Sequence, residues 1–250
     1  MKNQYFGDIG DYGKYGLLRF LRDSGVKVGV NWYLTPCDGR TDGSHTEYLH
    51  QSEMREYDPD LFDFLQPRAE KKDKSVSEIE NEPLMDGITF YNRLMNFDSI
   101  SDCVERGEER KKWHSDALSA LSECELIFAD PDNGLSLNKR GTQKKAQKYI
   151  LKNEIKEYFE GGKQILYYQH RPYKSGEDWM IFKTMVLQEI PEARLLALSL
   201  NRWSCRTFIF VLHNDQYDRY SSILEAFLNT NWSKLKVGDK GMFTLEELSY

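Results

Sequence analysis

The sequence predicts an α/β fold: a Rossmann-like, mostly parallel sheet with helices on both faces and a C-terminal antiparallel hairpin. Three observations support this prediction. Short apolar runs of strand length alternate with longer runs of helical spacing, which is typical of βαβ units. One apolar run, 126–129, ends abruptly in a turn that contains proline. The apolar stretch 193–214 is interrupted by a polar turn near 201–204, which indicates two strands joined as a hairpin.

The other elements follow from their local patterns. The N-terminal 16 residues carry glycines at positions 7, 10, 13 and 16 between aromatic residues, which predicts a loop held by aromatic anchors. Leucines at helical spacing that end at Gly25 predict a helix over 12–25. The same criteria predict helices at 45–65 (broken near Pro59), 101–123, 177–190 and 217–232, and strands at 26–34 and 87–94. They also predict a basic loop that becomes a helix over 138–162, and a strand followed by a loop over 163–172.

The 250 residues are predicted to form a single α/β domain, 1–250, with a charged, mainly helical insertion around 50–115. Within the insertion, 68–82 is charged and poor in apolar residues, which predicts an exposed helix or linker. The net charge of −6 opposes a general attraction to nucleic acid or anionic membranes. A local basic groove remains compatible with that charge, because nucleic acid responds to the clustering of Lys and Arg.

Cysteine usage and the N-terminal sequence predict the compartment. The cysteines Cys37, Cys103, Cys124 and Cys205 are far apart and form no CxxC pair, so free thiols in a reducing compartment are expected. The N-terminal segment lacks the apolar core of a signal peptide, and no run reaches the ~18 apolar residues of a membrane span. We therefore expect a cytoplasmic protein that does not enter the membrane.

The stretch ELIFADPDNGL, at 125–135, carries the strongest functional signal. In a parallel sheet, ligands bind just beyond the carboxyl ends of the strands. Asp130, Asp132 and Asn133 follow such a strand directly, with Pro131 and Gly134 in the same turn. These residue types are also the commonest in ordinary turns, so the stretch by itself leaves a functional site and a plain turn equally open.

Two further strand ends carry polar residues, TPCDGR at 35–40 and QHR at 169–171. Because the carboxyl ends of parallel strands share one edge of a sheet, we expect these groups to converge with 130–133. This convergence favours an enzyme over a structural protein.

The order of these elements resembles that of Rossmann-like, S-adenosylmethionine-dependent methyltransferases, particularly small enzymes that methylate adenine N6 in ribosomal RNA. The segments GDYGKYGLLRFL, WYLTPCDGR, FADPDNGL and LLALSLNRWSCRTFIFVL occur in the order of that family's N-terminal helix, first-strand loop, Asp/Asn-Pro-Pro-Tyr/Phe motif and terminal hairpin. Asp132 and Asn133 stand where the family motif has its second proline and its aromatic residue. The chain also looks like a bacterial family with no established activity.

The resemblance implies methyl transfer to the amine of a nucleic-acid base, with S-adenosylmethionine as cofactor. An exocyclic amine is a poor nucleophile, and Asp130 and the Pro131 carbonyl would accept its N–H bonds. The candidate catalytic residues are Asp130, Pro131, Asp132, Asn133 and His170. The candidate cofactor-binding residues are Lys14, Thr35, Cys37, Asp38, Gly39 and Arg40. RNA or DNA phosphates are expected at Lys139, Arg140, Lys144, Lys145 and Lys148, although a solvated basic loop explains these side chains equally well.

Two other functions stay open at this point. Asp130 and Asp132, with Asp38 or Asp42, offer oxygen ligands for Mg²⁺, and His170 or a metal-bound water would then serve as base or nucleophile in phosphodiester hydrolysis. The third alternative is a non-catalytic binding module on a methyltransferase-like fold.

Overall fold

The computed structural model of the chain describes residues 1–39, 45–136, 141–170, 176–201, 206–237 and 240–247. Its strands are β1 (Val28–Asn31), β2 (Thr89–Tyr91), β3 (Leu126–Ala129), β4 (Gln164–His170), β5 (Arg194–Leu200), β6 (Arg206–Leu212), β7 (Lys236–Val237), β8 (Lys240–Gly241) and β9 (Phe243–Glu247). Its α-helices are α1 (Ile9–Asp23), α2 (Pro59–Leu65), α3 (Ser77–Glu80), α4 (Cys103–Ala120), α5 (Lys152–Glu160), α6 (Gly176–Glu189), α7 (Tyr217–Leu228) and α8 (Asn231–Lys234).

The main sheet has seven strands in the order β2–β1–β3–β4–β6–β5–β9. The first four of these are parallel to one another. β6 runs antiparallel to β4 and β5, and β9 runs antiparallel to β5. The hairpin β5–β6 therefore inserts its second strand between β4 and β5. The predicted fold class is confirmed, including the antiparallel hairpin near the C-terminus.

Both faces of the sheet are covered, which explains why its strands are continuous apolar runs. In β3, Leu126 and Phe128 belong to one hydrophobic cluster, whereas Ile127 and Ala129 belong to another. Successive side chains of a strand point to opposite faces, so these clusters lie on the two sides of the sheet. Helices α1, α2 and α7 contribute to the first cluster, and α4, α5 and α6 contribute to the second.

The predicted N-terminal loop is wrong from residue 9 onward, because α1 begins at Ile9. Asp8 caps the helix by accepting the backbone N–H of Asp11 at 2.8 Å. The glycines remain in the helix because other side chains press against it. A Cβ atom at Gly10 would lie 1.3 Å from Arg206 Nη1, and one at Gly16 would lie 2.2 Å from the Trp232 ring. Their spacing therefore reflects close packing on α1 rather than a turn.

Several predicted elements are shorter in the structure. The first strand ends at Asn31, whose Oδ1 accepts the backbone N–H of Tyr33 at 3.2 Å and turns the chain. Within 138–162, predicted to begin as a basic loop and become a helix, a 3₁₀ turn at Lys144–Lys148 precedes α5. The helix predicted over 45–65 divides into two 3₁₀ turns and α2, where Pro59 occupies the first helical position.

The segment 50–115 contains α2, α3, most of α4 and also β2, which pairs with β1 in the main sheet. In the described ranges, no helix is long and apolar enough to cross a bilayer. Cys37, Cys103 and Cys124 are free thiols, as predicted, and Cys205 lies outside the described residues.

Candidate functional site

The sheet changes winding direction at β1. The chain passes from β1 to β2 on one side, and it returns to β3 on the other side of β1. The loops that follow β1 and β3 therefore separate at the carboxyl edge, and such switch points form ligand crevices in open α/β sheets. Asp130–Asn133 follow β3 at this edge, and the segment 32–39 follows β1.

A cavity of about 600 Å³ opens at this edge, between the N-terminal part of α1, the segment that follows β3 and the C-terminal end of β4. Its size is within the range of small-molecule binding sites. The structure brings many of the predicted residues together in its wall: Lys14, Asp38, Asp130, Pro131, Asp132, Asn133, Lys145, Lys148 and His170. The expected convergence of the polar strand ends is present for these residues.

Lys14 forms the centre of a buried charge cluster in the cavity wall. Its Nζ donates to Asp11 Oδ1 and to Asp130 Oδ2, both at 2.6 Å. All three residues are at most 5% exposed. Burial disfavours the charged amine, but Asp11 and Asp130 outweigh it and raise the pKa of Lys14. Asp130 is the first residue of the segment Asp130–Asn133, which we call the motif. It is therefore fixed by a residue of α1 that lies 116 positions away in sequence.

Asp11 is the most strongly buried carboxylate of the cluster. It accepts hydrogen bonds from Gly7 N at 3.1 Å and from the Tyr15 hydroxyl at 2.9 Å, in addition to Lys14. Burial raises the pKa of the Asp11 carboxyl to about 6, and the charges of Asp8 and Asp130 add to the increase while Lys14 opposes it.

We expect Asp11 to titrate near pH 6 in the folded protein, against 3.8 for an ordinary aspartate. Between these values the folded chain binds a proton that the unfolded chain has released, so this contribution to stability is lost as the pH rises from 3.8 to 6. Carboxyl ¹³C chemical shifts measured against pH, with Asp11→Asn to assign the resonance, test the prediction. A midpoint at or below 4 would contradict it.

The second motif carboxylate, Asp132, has different partners. The Met1 amino nitrogen lies 2.8 Å from its Oδ1, in ion-pair range but without hydrogen-bond geometry. The Thr35 hydroxyl donates to its Oδ2 at 3.3 Å. Burial alone would raise the pKa of the Asp132 carboxyl, but the Met1 ammonium, Lys2 and Lys148 outweigh burial and lower it. Thr35, predicted as a cofactor residue, also holds Asp132 in place through this hydrogen bond.

Asp38 follows β1 and lies at the cavity wall, where Lys2 Nζ contacts its Oδ2 at 2.5 Å and Lys148 Nζ approaches to 3.6 Å. Its neighbours in the predicted cofactor set do not line the cavity: Cys37 and Gly39 are exposed, and Gly39 has a φ of 68°. Among the predicted basic residues, Lys144 is exposed outside the cavity lining. Arg40, Asp42, Lys139, Arg140 and Arg171 lie outside the described residues.

His170 ends β4 and lines the cavity. Its Nδ1 lies 3.3 Å from the Tyr168 hydroxyl. Burial, with a smaller contribution from the Arg206 guanidinium, lowers the pKa of the His170 imidazole. Both effects favour the neutral ring, which is the form able to accept a proton. The preceding residue, Gln169, has a structural role, because its Oε1 accepts the Leu135 backbone N–H at 2.8 Å.

The segment after β3 is paired with the segment before α5. Asn133 N donates to Lys148 O, and Ile150 N donates to Gly134 O, both at 3.0 Å. Gly134 has a φ of 87°, and a Cβ atom there would lie 2.5 Å from Gln169 Oε1, so glycine is required at this position. These bonds place Lys148 and its neighbours beside the motif. The sequence pattern did not predict this pairing of the two segments.

Arg110 of α4 anchors this second segment. Its guanidinium contacts the Glu154 carboxylate at 2.6 and 2.9 Å, and it donates to the carbonyls of Ala146 and Tyr149 at 2.8 and 2.7 Å. Glu154 also accepts the Tyr33 hydroxyl at 3.1 Å. Tyr33, the second residue after β1, has a φ of 46°, an uncommon value for a non-glycine residue. The network joins the loop after β1 to the segment beside the motif.

Sequence reasoning missed Asp8, Asp11, Tyr149 and Arg206, all of which contribute to the cavity lining. A usable signal exists for two of them. Asp8, Asp11 and Lys14 occur at intervals of three, which places them on one side of a helix that begins after an Asp cap. Arg206 is paired with Asp8 at 2.6 Å, and no local pattern in the sequence predicts that contact.

Within the described ranges, no group of three or more His, Cys, Asp or Glu side chains is arranged to hold a metal ion. The carboxylates that the sequence offered as ligands face cations instead: Asp130 contacts Lys14, Asp132 contacts the Met1 amine, and Asp38 contacts Lys2.

Comparison with solved structures finds chains that match this one. A crystal structure of a Legionella pneumophila protein, described by the family model DUF519, matches with a TM-score of 0.45 and 14% identity over 97% of this chain and 98% of that chain. No family model matches the sequence, and no curated protein matches it.

Proposed function

We propose that this chain is a methyltransferase-like enzyme that uses S-adenosylmethionine to methylate an amine of a nucleic-acid base. The observation that carries the proposal is the position of Asp130 and Pro131. They follow β3 at the switch point of the sheet, and both line the cavity.

The geometry around Asp130 suits an acceptor for an amine. Its Oδ2 is held by Lys14, and no described residue donates a hydrogen bond to its Oδ1. That oxygen and the Pro131 carbonyl are able to accept the two N–H bonds of an exocyclic amine. Accepting both bonds localises the nitrogen lone pair and orients it, which is the activation that a delocalised amine requires.

The donor set of the cavity fits the proposed cofactor. Both carboxylates and ammonium groups line the cavity, with Asp38 and Lys14 from the predicted cofactor set among them. Groups of both signs match the carboxylate and the ammonium at the amino-acid end of S-adenosylmethionine. When bound, the cofactor supplies a methyl group on a sulfonium. Asp38 and Lys14 would hold it in the crevice.

Nucleic acid is supported by the basic residues at the cavity. Lys145 and Lys148 line it, and Lys144 is exposed on the same 3₁₀ turn. Phosphate contacts from such side chains position a strand without reading its sequence. A base reaches the cavity only when it is unpaired or extruded from a helix, because an amine within a stacked duplex is out of reach.

Hydrolysis with Mg²⁺ is less well supported, since no group of three or more His, Cys, Asp or Glu side chains in the described ranges is arranged to hold a metal ion. No described contact favours a purely non-catalytic binding module over an enzyme.

Calorimetric titration of the purified protein with S-adenosylmethionine and S-adenosylhomocysteine, each with and without Mg²⁺, tests the proposal. We expect both nucleosides to bind without Mg²⁺. Lys14→Met should weaken binding of both, while Asp73→Asn, which replaces an exposed carboxylate outside the cavity lining, should bind as the wild type does. Failure of well-folded wild-type protein to bind either nucleoside would refute the methyltransferase proposal. Heat released on addition of Mg²⁺ alone would favour the hydrolase.

A further inference from the structure

An extruded base needs a flat side chain on which to stack. The segment after β3 offers none, since it consists of Asp130, Pro131, Asp132, Asn133 and Gly134. The aromatic surface must then come from another part of the cavity wall. Resting on the proposed function, we infer that Tyr149 supplies it and so serves as a base-positioning residue.

Backbone pairing places Tyr149 next to the motif. The bonds from Asn133 N to Lys148 O and from Ile150 N to Gly134 O lie on either side of Tyr149, and Leu135 and Ile150 form a parallel bridge. Ile150 is fully buried in the core. Because successive side chains of an extended segment point to opposite sides, Tyr149 faces away from that core, and it lines the cavity.

The other aromatic residues of the cavity are engaged elsewhere. The Lys2 ammonium lies over the Tyr5 ring at 5.3 Å and donates to the Tyr5 hydroxyl at 3.4 Å. Tyr168 packs against Phe208, with ring centroids 6.3 Å apart, and its hydroxyl contacts His170. Tyr149 is only half-buried, and no ring contact of its side chain is found among the described residues. Its face is therefore available to a base.

Hydrogen bonds also fix the backbone of Tyr149, and lysine side chains lie close to it in sequence. Its carbonyl accepts from Arg110 Nη2 at 2.7 Å, and its backbone N–H donates to Ala146 O at 3.0 Å. Lys145 and Lys148 precede it in the same segment and line the same cavity. A nucleotide whose phosphates contact these lysines would present its base at the ring of Tyr149.

Fluorescence of single-stranded RNA and DNA oligonucleotides that carry one 2-aminopurine tests this inference, because stacking quenches that base. We expect quenching with the wild type and with Tyr149→Phe, which keeps the flat ring. Tyr149→Leu and Tyr149→Ala should lose the quenching and bind about tenfold to a hundredfold more weakly. Circular dichroism spectra and melting temperatures close to those of the wild type verify that all three variants are folded.

Unchanged quenching and affinity in Tyr149→Ala would overturn the inference, as would wild-type protein that binds S-adenosylhomocysteine but does not quench the probe. The proposed function fails separately. If wild-type protein quenches the probe through Tyr149 but binds no cofactor analogue, the stacking role stands and the methyltransferase proposal falls.

Discussion

Replacing Arg110 by alanine is expected to lower the free energy of unfolding by about 3–5 kcal/mol, the cost of breaking a buried ion pair from one side. Arg110 is 3% exposed and Glu154 is 2% exposed, so the carboxylate would be left buried without its cation. The carbonyls of Ala146 and Tyr149 would lose their donors as well. Urea unfolding followed by circular dichroism measures the change.

Lys111→Ala provides the matched control. Lys111 is the next residue of α4, and its ion pair with Glu108 joins two side chains that are 76% and 66% exposed. The expected change is within about 0.5 kcal/mol, because exposed pairs contribute little. A double variant, Arg110→Met with Glu154→Leu, should be more stable than Arg110→Ala, since it leaves no buried charge unpaired. Equal stability of Arg110→Ala and Lys111→Ala would show that the buried network does not support the fold.

The loss of unfolding free energy caused by Arg110→Ala should also depend on pH. Burial alone would raise the pKa of the Glu154 carboxyl, but Arg110 outweighs burial and lowers it below the ordinary 4.5. A carboxyl group whose pKa is lower in the folded protein than in the unfolded chain stabilises the fold at pH values above its unfolded-state pKa. This contribution to stability is lost as the pH falls through the folded-state pKa. The difference between wild type and Arg110→Ala should therefore be full at neutral pH and shrink below pH 4.5.

Under the proposed function, Asp130→Ala is expected to reduce methyl transfer to oligonucleotides at least about a hundredfold, because the amine would lose the oxygen proposed to accept its N–H bond. Transfer of a tritiated methyl group from S-adenosylmethionine, measured under single-turnover conditions, reports the loss directly. Asp132→Asn should cost less, since Asp132 is bound to Thr35 and the Met1 amine rather than placed as the acceptor.

The comparison of these two variants separates the proposed reactions. Methyl transfer predicts a much larger loss for Asp130→Ala than for Asp132→Asn, whereas two metal-binding carboxylates predict losses of similar size. Removing Asp130 also leaves Lys14 with Asp11 as its remaining carboxylate partner. Melting temperatures of both variants are therefore needed, and single-turnover rates should be compared at a temperature where both are folded. Wild-type rates in Asp130→Ala would contradict its role.

Much of the fold was predictable because its signals are local. The apolar run 126–129 has the length of a buried strand, and the turn residues that follow it end the strand where the structure ends it. The glycines of α1 misled the prediction, since glycine favours loops locally. Gly10 and Gly16 are instead required by side chains that reach the helix from Arg206 and Trp232, nearly 200 residues or more away in sequence, and no local pattern contains that information.

The sequence by itself determined the fold class, the strand that ends just before Asp130 and the edge of the sheet where polar groups collect, because periodicity and turn chemistry act over a few residues. Tertiary structure alone decided the partners. Lys14 and Asp130 are 116 positions apart, and Arg110 and Glu154 are 44 positions apart. Charges buried in a low-dielectric interior must be paired, and which charges meet depends on how α1, α4 and α5 cross the sheet. The same packing brings Tyr149 beside a motif that lacks an aromatic residue of its own.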